Sequence, residues 1–172
     1  MGEVLQVKAI RPKKLRVAEV RKELLAAAEE EGKISAKELE KTVRNFRGAK
    51  PRFDTLIDVG ASEVVVLVGP TGDAKAVQKW TWLDEGTEPH IIRARRAPYL
   101  RFRIGYNSGT RPGTLRTRRA YYVGNSWRMA RAVRHPGTQA LGWSKLVQDR
   151  RKPKYIAAMN KALRRGMEKA SR

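Results

Sequence analysis

The sequence predicts an α+β fold: an N-terminal helical region packed on an antiparallel β-sheet, a long basic loop and a C-terminal helix. Apolar residues recur at helical spacing near both ends of the chain, and β-branched and aromatic runs separated by Gly and Pro fill its middle. The order helix, meander, helix also differs from the strand–helix alternation of a parallel α/β sheet. A length of 172 residues suits one domain spanning 1–172.

The first element is predicted to be an arm at residues 1–14, in which residues 3–10 alternate well enough to form a short edge strand. A helical region follows at residues 15–47. Its first apolar stripe repeats at three- and four-residue steps and consists of Val17, Val20, Leu24 and Ala27 or Ala28.

Gly32 interrupts this stripe, and it marks either a turn between two helices or a weak point in one long helix. Ser35 and Glu38 have the spacing of an S-x-x-E capping box, which predicts that a helix restarts there. Gly48 and Pro51 end the region. The second helical face consists of Leu39, Val43 and Phe46.

The sheet is predicted over residues 52–134. Strands at 52–58 and 62–68 flank Gly60, and the second is so apolar that we expect a central strand buried on both faces. Residues 76–83 predict a third strand. Further short strands are expected at 90–95, 99–104, 121–123 and 127–134, the last of which also fits a helix. The predicted core of the sheet is Val64, Val66, Leu67, Trp82, Leu100 and Phe102.

Residues 105–122 are rich in Gly and Arg and predict a basic loop that buries too little apolar surface to order itself in a free subunit. We therefore expect this loop to project from the body of the fold. Pro153 suits the first position of a helix and predicts a C-terminal helix at residues 153–170. The apolar face of that helix consists of Ile156, Met159 and Leu163.

Positive charge is concentrated in the second half of the chain. Residues 1–88 carry 16 Lys or Arg and 15 Asp or Glu, whereas residues 89–148 carry 13 Lys or Arg and no acidic residue, within a net charge of +21. A region with this much positive charge is expected to bind an anionic partner, which can be nucleic acid, an acidic protein surface or anionic lipid. No apolar run approaches the roughly 18–20 residues of a membrane span, so no membrane partner is expected.

Few residues are candidates for chemistry, and the chain has no cysteine. Asp84, Glu85 and Glu88 form a carboxylate cluster that can hold a metal, but no further ligand follows at a matching spacing, which favours a solvated turn or a salt bridge. The two histidines, His90 and His135, have no triad partner. We therefore expect no enzyme activity, no cofactor and no metal.

The basic half also interleaves aromatic side chains with arginines, a composition that can bind phosphates and stack bases. Alternation over residues 99–104 favours a different interpretation, with Leu100, Phe102 and Ile104 facing the core and the arginines facing solvent. A basic nucleic-acid-binding protein of ribosomal or nucleoid type is the alternative function at this point.

Two segments carry a family resemblance. Residues 82–102 read WLDEGTEPHIIRARRAPYLRF, and residues 132–140 read AVRHPGTQA. Together they resemble the tail-completion, or head–tail joining, family of long-tailed bacteriophages, of the lambdoid gene-product-ten type, over roughly residues 15–165. The motif residues are Gly86, Thr87, Pro89, His90, His135, Pro136 and Gly137. Residues 140–143 read Ala-Leu-Gly-Trp, where family members often have Gln-Pro-Phe-Leu.

The resemblance implies a structural virion protein, made in the host bacterial cytoplasm, that forms a neck ring of six or twelve copies. Its partners would be neighbouring neck or connector proteins and tail-tube proteins, with a contact to DNA in the channel left open. Glycine and proline in the two motifs suit turns, so the motifs are predicted to form two sheet corners that pack together. An acidic protein neighbour, favoured over DNA, is expected to bind Arg111, Arg116, Arg118 and Arg119.

Overall fold

The computed structural model describes residues 16–60 and 63–171. The arm predicted at residues 1–14, with its strand at 3–10, lies outside the described residues. Within them the predicted α+β class is confirmed, because two long helices frame pairs of antiparallel strands. The strands form four two-stranded sheets in the described part of the chain, rather than the single sheet predicted over 52–134.

Helix α1 runs without a break through Val17–Glu40 and continues into a 3-10 turn at Lys41–Val43. Gly32 is buried in α1, and a Cβ atom placed there would overlap the side chain of Thr55. Gly32 is therefore a point of close helix–strand packing inside one long helix. The predicted capping box is wrong because Ser35 and Glu38 lie in the interior of α1.

Strands β1 (Arg52–Val59) and β2 (Val64–Thr71) form the predicted antiparallel hairpin. The prediction of a central β2 is wrong, since β1 is its one partner among the described residues. Val66 and Val68 share the face of the buried Phe53, which packs into the core next to α1. The apolar residues on one face of β2 pack toward α1, whereas Leu67 on the other face is exposed.

Residues predicted as a third strand form helix α2 (Ala74–Glu85) instead. The Asp73 carboxylate caps this helix by accepting a hydrogen bond from the Ala76 backbone N–H at 2.9 Å. Ala76, Trp80 and Asp84 follow at four-residue steps and are buried, whereas Trp82 is exposed. The strand was predicted from Trp80 and Trp82, which are two residues apart. Ala76 and Trp80, which are four residues apart, are also apolar and fit the helix that forms.

The middle of the chain forms a two-stranded ribbon, which we call the ribbon, over residues 90–135. Three antiparallel pairs are nested in it. They are β3 (His90–Arg93) with β8 (Ala132–His135), β4 (Leu100–Arg103) with β7 (Trp127–Ala130), and β5 (Tyr106–Asn107) with β6 (Tyr121–Tyr122). The predicted strands at 90–95, 99–104, 121–123 and 127–134 are thus present, but they pair along one ribbon that has no sheet beside it in the described residues.

The tip of the ribbon returns to the body of the protein. Leu115 is 7% exposed and belongs to the core. The indole N–H of Trp143 donates to the Thr114 carbonyl at 3.0 Å, and the Asn45 amide donates to the Thr117 carbonyl at 2.8 Å. The prediction that the loop 105–122 projects freely is therefore wrong, because one buried leucine and two backbone carbonyls anchor it.

Helix α3 spans Trp143–Ala170, so it begins before the predicted start at Pro153, which lies in its interior. It packs along α1, and Gly166 lies against Val20. None of the helices in the described residues has the length and apolar content to cross a membrane.

The core lies where the C-terminal end of α1 meets the start of α3, with β1, α2 and the ribbon tip around it. Its buried apolar residues include Leu39, Val43, Phe53, Trp80, Leu115, Leu141, Trp143 and Val147. The predicted core was wrong: Leu67 and Trp82 are exposed, and the remaining four members, Val64, Val66, Leu100 and Phe102, are half-buried. Trp82 lies on the exposed side of α2, and the other five residues sit in two-stranded elements that have no second layer over their outer faces in the described residues.

Candidate assembly surface

The two sequence motifs meet at the base of the ribbon, as predicted for two packed corners. Thr87 and Thr138 exchange backbone hydrogen bonds of 2.9 and 3.1 Å. His90 lies opposite His135 in the β3–β8 pair, and the imidazole rings stack with their centroids 5.0 Å apart. Histidines that are 45 residues apart in the chain are therefore neighbours in space.

Glycine is required at this corner by its backbone. Gly86 and Gly137 have φ angles of +82° and +88°, and a Cβ atom at Gly137 would overlap the Thr87 carbonyl oxygen. His90 Nδ1 lies 2.9 Å from the Glu88 carbonyl oxygen, and His135 Nδ1 accepts the Gly137 backbone N–H at 3.1 Å. Both rings thus hold turns, with Pro89 and Pro136 next to them in the chain, and these contacts give the motif a structural role.

The acidic cluster at the end of α2 does not converge on a ligand. Asp84 is buried, and its carboxylate accepts the Ser144 backbone N–H at 3.0 Å and the Ser144 hydroxyl, so it caps α3. The expectation of a solvated turn or salt bridge at Asp84 is therefore wrong, while Glu85 and Glu88 are exposed. No cluster of three or more His, Asp or Glu side chains within the described ranges could hold a metal.

A groove of about 520 Å³ separates β2 from α3. Three of its ionisable side chains already have partners: Arg151 pairs with Glu31 and with Glu38, and the Tyr155 hydroxyl donates to the Val64 carbonyl at 2.7 Å. Burial raises the pKa of Tyr155 above its ordinary value. These contacts join α1, β2 and α3, which is a structural use of the groove.

The outer face of the ribbon carries arginines stacked on aromatic rings. Arg101 lies 4.7 Å from the centre of the Trp127 ring, and Arg103 lies 4.7 Å from the centre of the Tyr122 ring. A third pair joins Arg131 to Tyr99 at 5.8 Å. Stacking orients each guanidinium before any partner binds, and the N–H groups that remain free can bind carboxylate or phosphate. Arg103 already uses part of its guanidinium to donate to the Gly124 carbonyl at 2.6 Å.

Sequence reasoning missed this arrangement. It assigned Leu100, Phe102 and Ile104 to the core face and the arginines to solvent. Leu100 and Phe102 are half-buried and Arg101 is exposed, but the prediction is wrong at Ile104, which is 39% exposed, and at Arg103, which is half-buried. The aromatic residues of the partner strand, however, share the outer face, because Arg103 pairs in register with Trp127. Only knowledge of the cross-strand register could have shown this.

Arg111, Arg116, Arg118 and Arg119 are all exposed, at the anchored tip of the ribbon. The turn that carries them is braced by Thr110, whose hydroxyl accepts the Arg118 backbone N–H at 3.1 Å and donates to the Arg118 carbonyl at 3.2 Å. These arginines extend the basic surface of the ribbon to the point where it meets the body.

Comparison of the chain with protein-family models, with curated proteins and with solved structures finds no match.

Proposed function

We propose that the chain is a structural subunit of a phage neck, forming part of the ring that joins the tail to the head connector. The observation that carries the proposal is the motif corner, in which the EGT-x-PH and HPGT segments are joined by backbone hydrogen bonds at the base of the ribbon. Every hydrogen-bonded motif residue there has a packing role, as expected for a family defined by architecture.

The amount of exposed surface supports assembly. The chain exposes 14017 Å², whereas a compact monomer of 19.5 kDa exposes about 8500 Å². The 18 residues outside the described ranges account for at most about 3000 Å² of the difference. More than about 2000 Å² of excess surface remains, and a stable interface takes roughly 800 Å² from each partner. Two contacts per subunit, the number that a ring needs, fit this excess.

The chemistry of the ribbon also supports a protein partner. Both strands expose large apolar side chains, and the residues concerned are Ile91, Ile92, Tyr99, Ile104, Tyr106, Tyr121, Tyr122, Val123, Trp127 and Met129. Aromatic residues, Met and Arg are the side chains enriched at the centres of protein interfaces. Exposed apolar side chains concentrated on one element are typical of a subunit that is covered in its assembly.

One observation favours a second candidate function, that of a nucleic-acid-binding protein: the stacked arginines and aromatic rings lie in a region without acidic residues. In the free subunit, however, the guanidinium groups already cover one face of the Tyr99, Tyr122 and Trp127 rings, the faces on which bases would stack. Affinity of the purified protein for single-stranded and duplex DNA over a range of salt concentrations distinguishes the two functions, because phosphate binding weakens steeply with salt.

Removal of the gene from the phage that encodes the protein tests the neck proposal. We expect filled heads and complete tails to accumulate separately, and purified protein added to the mixture to join them. Joined particles would be counted by electron microscopy. Normal joining without the protein would overturn the proposal.

A further inference from the structure

The outer face of the β1–β2 hairpin, which we call the hairpin face, has an apolar centre between two acidic residues. Leu56 and Leu67 are opposite each other in register and are 65% and 55% exposed. Asp54 and Asp58 lie on the same face, two residues to either side of Leu56, and both are exposed. None of the ion pairs found in the described residues involves either carboxylate.

The outer face of the β4–β7 pair, which we call the ribbon face, has the opposite charge. Its centre is Met129, which is 68% exposed and pairs with Arg101. Arg103 follows Arg101 by two residues and is stacked on Tyr122, and Arg131 follows Met129 by two residues and is stacked on Tyr99. The ribbon face thus places the guanidinium groups of Arg103 and Arg131 two residue steps to either side of the Arg101–Met129 pair, in which Arg101 is stacked on the Trp127 ring.

The two faces match in dimensions as well as in charge. Asp54 and Asp58 are four residues apart along β1, which corresponds to about 13 Å in an extended strand. Arg103 and Arg131 are displaced in opposite directions from the Arg101–Met129 pair, two residues each, which again gives about 13 Å along the ribbon. The Leu56–Leu67 pair can therefore be superimposed on the Arg101–Met129 pair, with the charged ends of the two faces against each other.

We propose that the hairpin face of one copy of this chain binds the ribbon face of the next copy, with Leu56 and Leu67 against Met129 and the two aspartates paired with Arg103 and Arg131. Every copy carries both faces, so the contact repeats head to tail and closes into a ring or extends as a filament. The proposal rests on the proposed function, since it names the contact by which the subunits of the neck ring would hold one another.

Cysteine cross-linking tests this contact, because the chain has no cysteine of its own. The Leu56→Cys variant mixed with the Met129→Cys variant should form a disulfide-linked dimer under mild oxidation. A matched control replaces the exposed Val17 of α1 by Cys and mixes that variant with Met129→Cys. A chain carrying both Leu56→Cys and Met129→Cys should give a ladder of oligomers. Dimer yields no higher than in the Val17 control would overturn the proposal.

Charge exchange provides a second test. Variants D54R/D58R and R103E/R131E should each bind themselves at least about tenfold more weakly than the parent, since each loses two charge pairs. A mixture of the two should assemble again, because each mutated face then meets a complementary face on the other variant. The control reverses the charges of the exposed Lys161 and Arg164 on α3, which should leave self-association unchanged. A mixture that stays as weak as its components would contradict the pairing.

The outcomes separate the two proposals. If the cysteine variants cross-link but heads and tails still join after the gene is removed, the copy-to-copy contact is kept and the neck function is rejected. Unjoined particles combined with no cross-linking above the control would keep the neck function and reject this contact.

Discussion

Replacement of Leu115 by Ala tests whether the basic ribbon tip is part of the core. Leu115 is 7% exposed and packs with Leu141 and Trp143. Removing a buried leucine side chain costs about 2.7–5 kcal/mol of unfolding free energy, depending on how far the site can collapse. The tip is a loop that can relax toward the cavity, so we expect a loss near the lower end, about 3 kcal/mol. The control is Leu67→Ala at a side chain that is 55% exposed, for which the loss should be within about 0.5 kcal/mol. Both variants are measured in dilute, monomeric protein, because Leu67 lies on the hairpin face and assembly would add to its apparent stability.

Two measurements read out this substitution. Denaturant unfolding of the parent and both variants gives the free energies. Limited trypsin digestion reports the tip itself, because Arg116 and Arg118 are exposed cleavage sites in a segment held by the Trp143–Thr114 and Asn45–Thr117 hydrogen bonds. We expect the Leu115 variant to be cut faster than the Leu67 variant at these arginines. Equal stabilities and equal digestion rates for the two variants would refute the anchored tip.

Three further substitutions test the rest of the fold. Gly32→Ala should lower the unfolding free energy by about 1–3 kcal/mol because the new Cβ meets Thr55, and Thr55→Ser in the same chain should recover part of the loss; a gain in stability would show that the two elements are not in contact. Asp84→Ala should cost about 1–2 kcal/mol in denaturant unfolding, since it leaves the Ser144 N–H at the start of α3 without its cap, and an unchanged midpoint would contradict that role. Hydrogen bonding by Lys169 holds the pKa of Glu23 below its ordinary 4.5, so the stability that Glu23 adds is present above this pH and is lost as pH falls through the folded-state pKa. The stability difference between the parent and Glu23→Gln should therefore shrink on acidification, and a difference that grows would contradict the pairing of α1 with α3.

Local periodicity was sufficient to predict the position of α1 and of the β1–β2 hairpin. Helical spacing of Val20, Leu24 and Ala28 and the turn at Gly60 are properties of neighbouring residues, which a sequence displays directly. At α2 the same reasoning failed, because the apolar pair Trp80 and Trp82 fits a two-residue period as well as the apolar pair Ala76 and Trp80 fits a helical one. The Asp73 cap was the signal that could have decided between the two.

The motif corner could be predicted because glycine and proline restrict the backbone locally and so mark turns in the sequence itself. The arginine–aromatic face and the core could not be predicted, because they depend on which distant strand or loop covers each side chain. Leu115 is the one large apolar residue in the segment 111–119, which otherwise consists of Arg, Pro, Gly and Thr. Its burial depends on the contact between the ribbon tip and α3. Leu67 has the sequence context of a buried residue, yet no second layer covers it in the described residues.

Electron-microscopic reconstruction of the neck of the assembled phage tests the central claim most directly. We predict a closed ring of six or twelve copies between the head connector and the tail tube, with the long α1–α3 pair and the curved ribbon visible in each copy. A neck reconstruction at side-chain resolution in which every density is accounted for by other chains would contradict the claim.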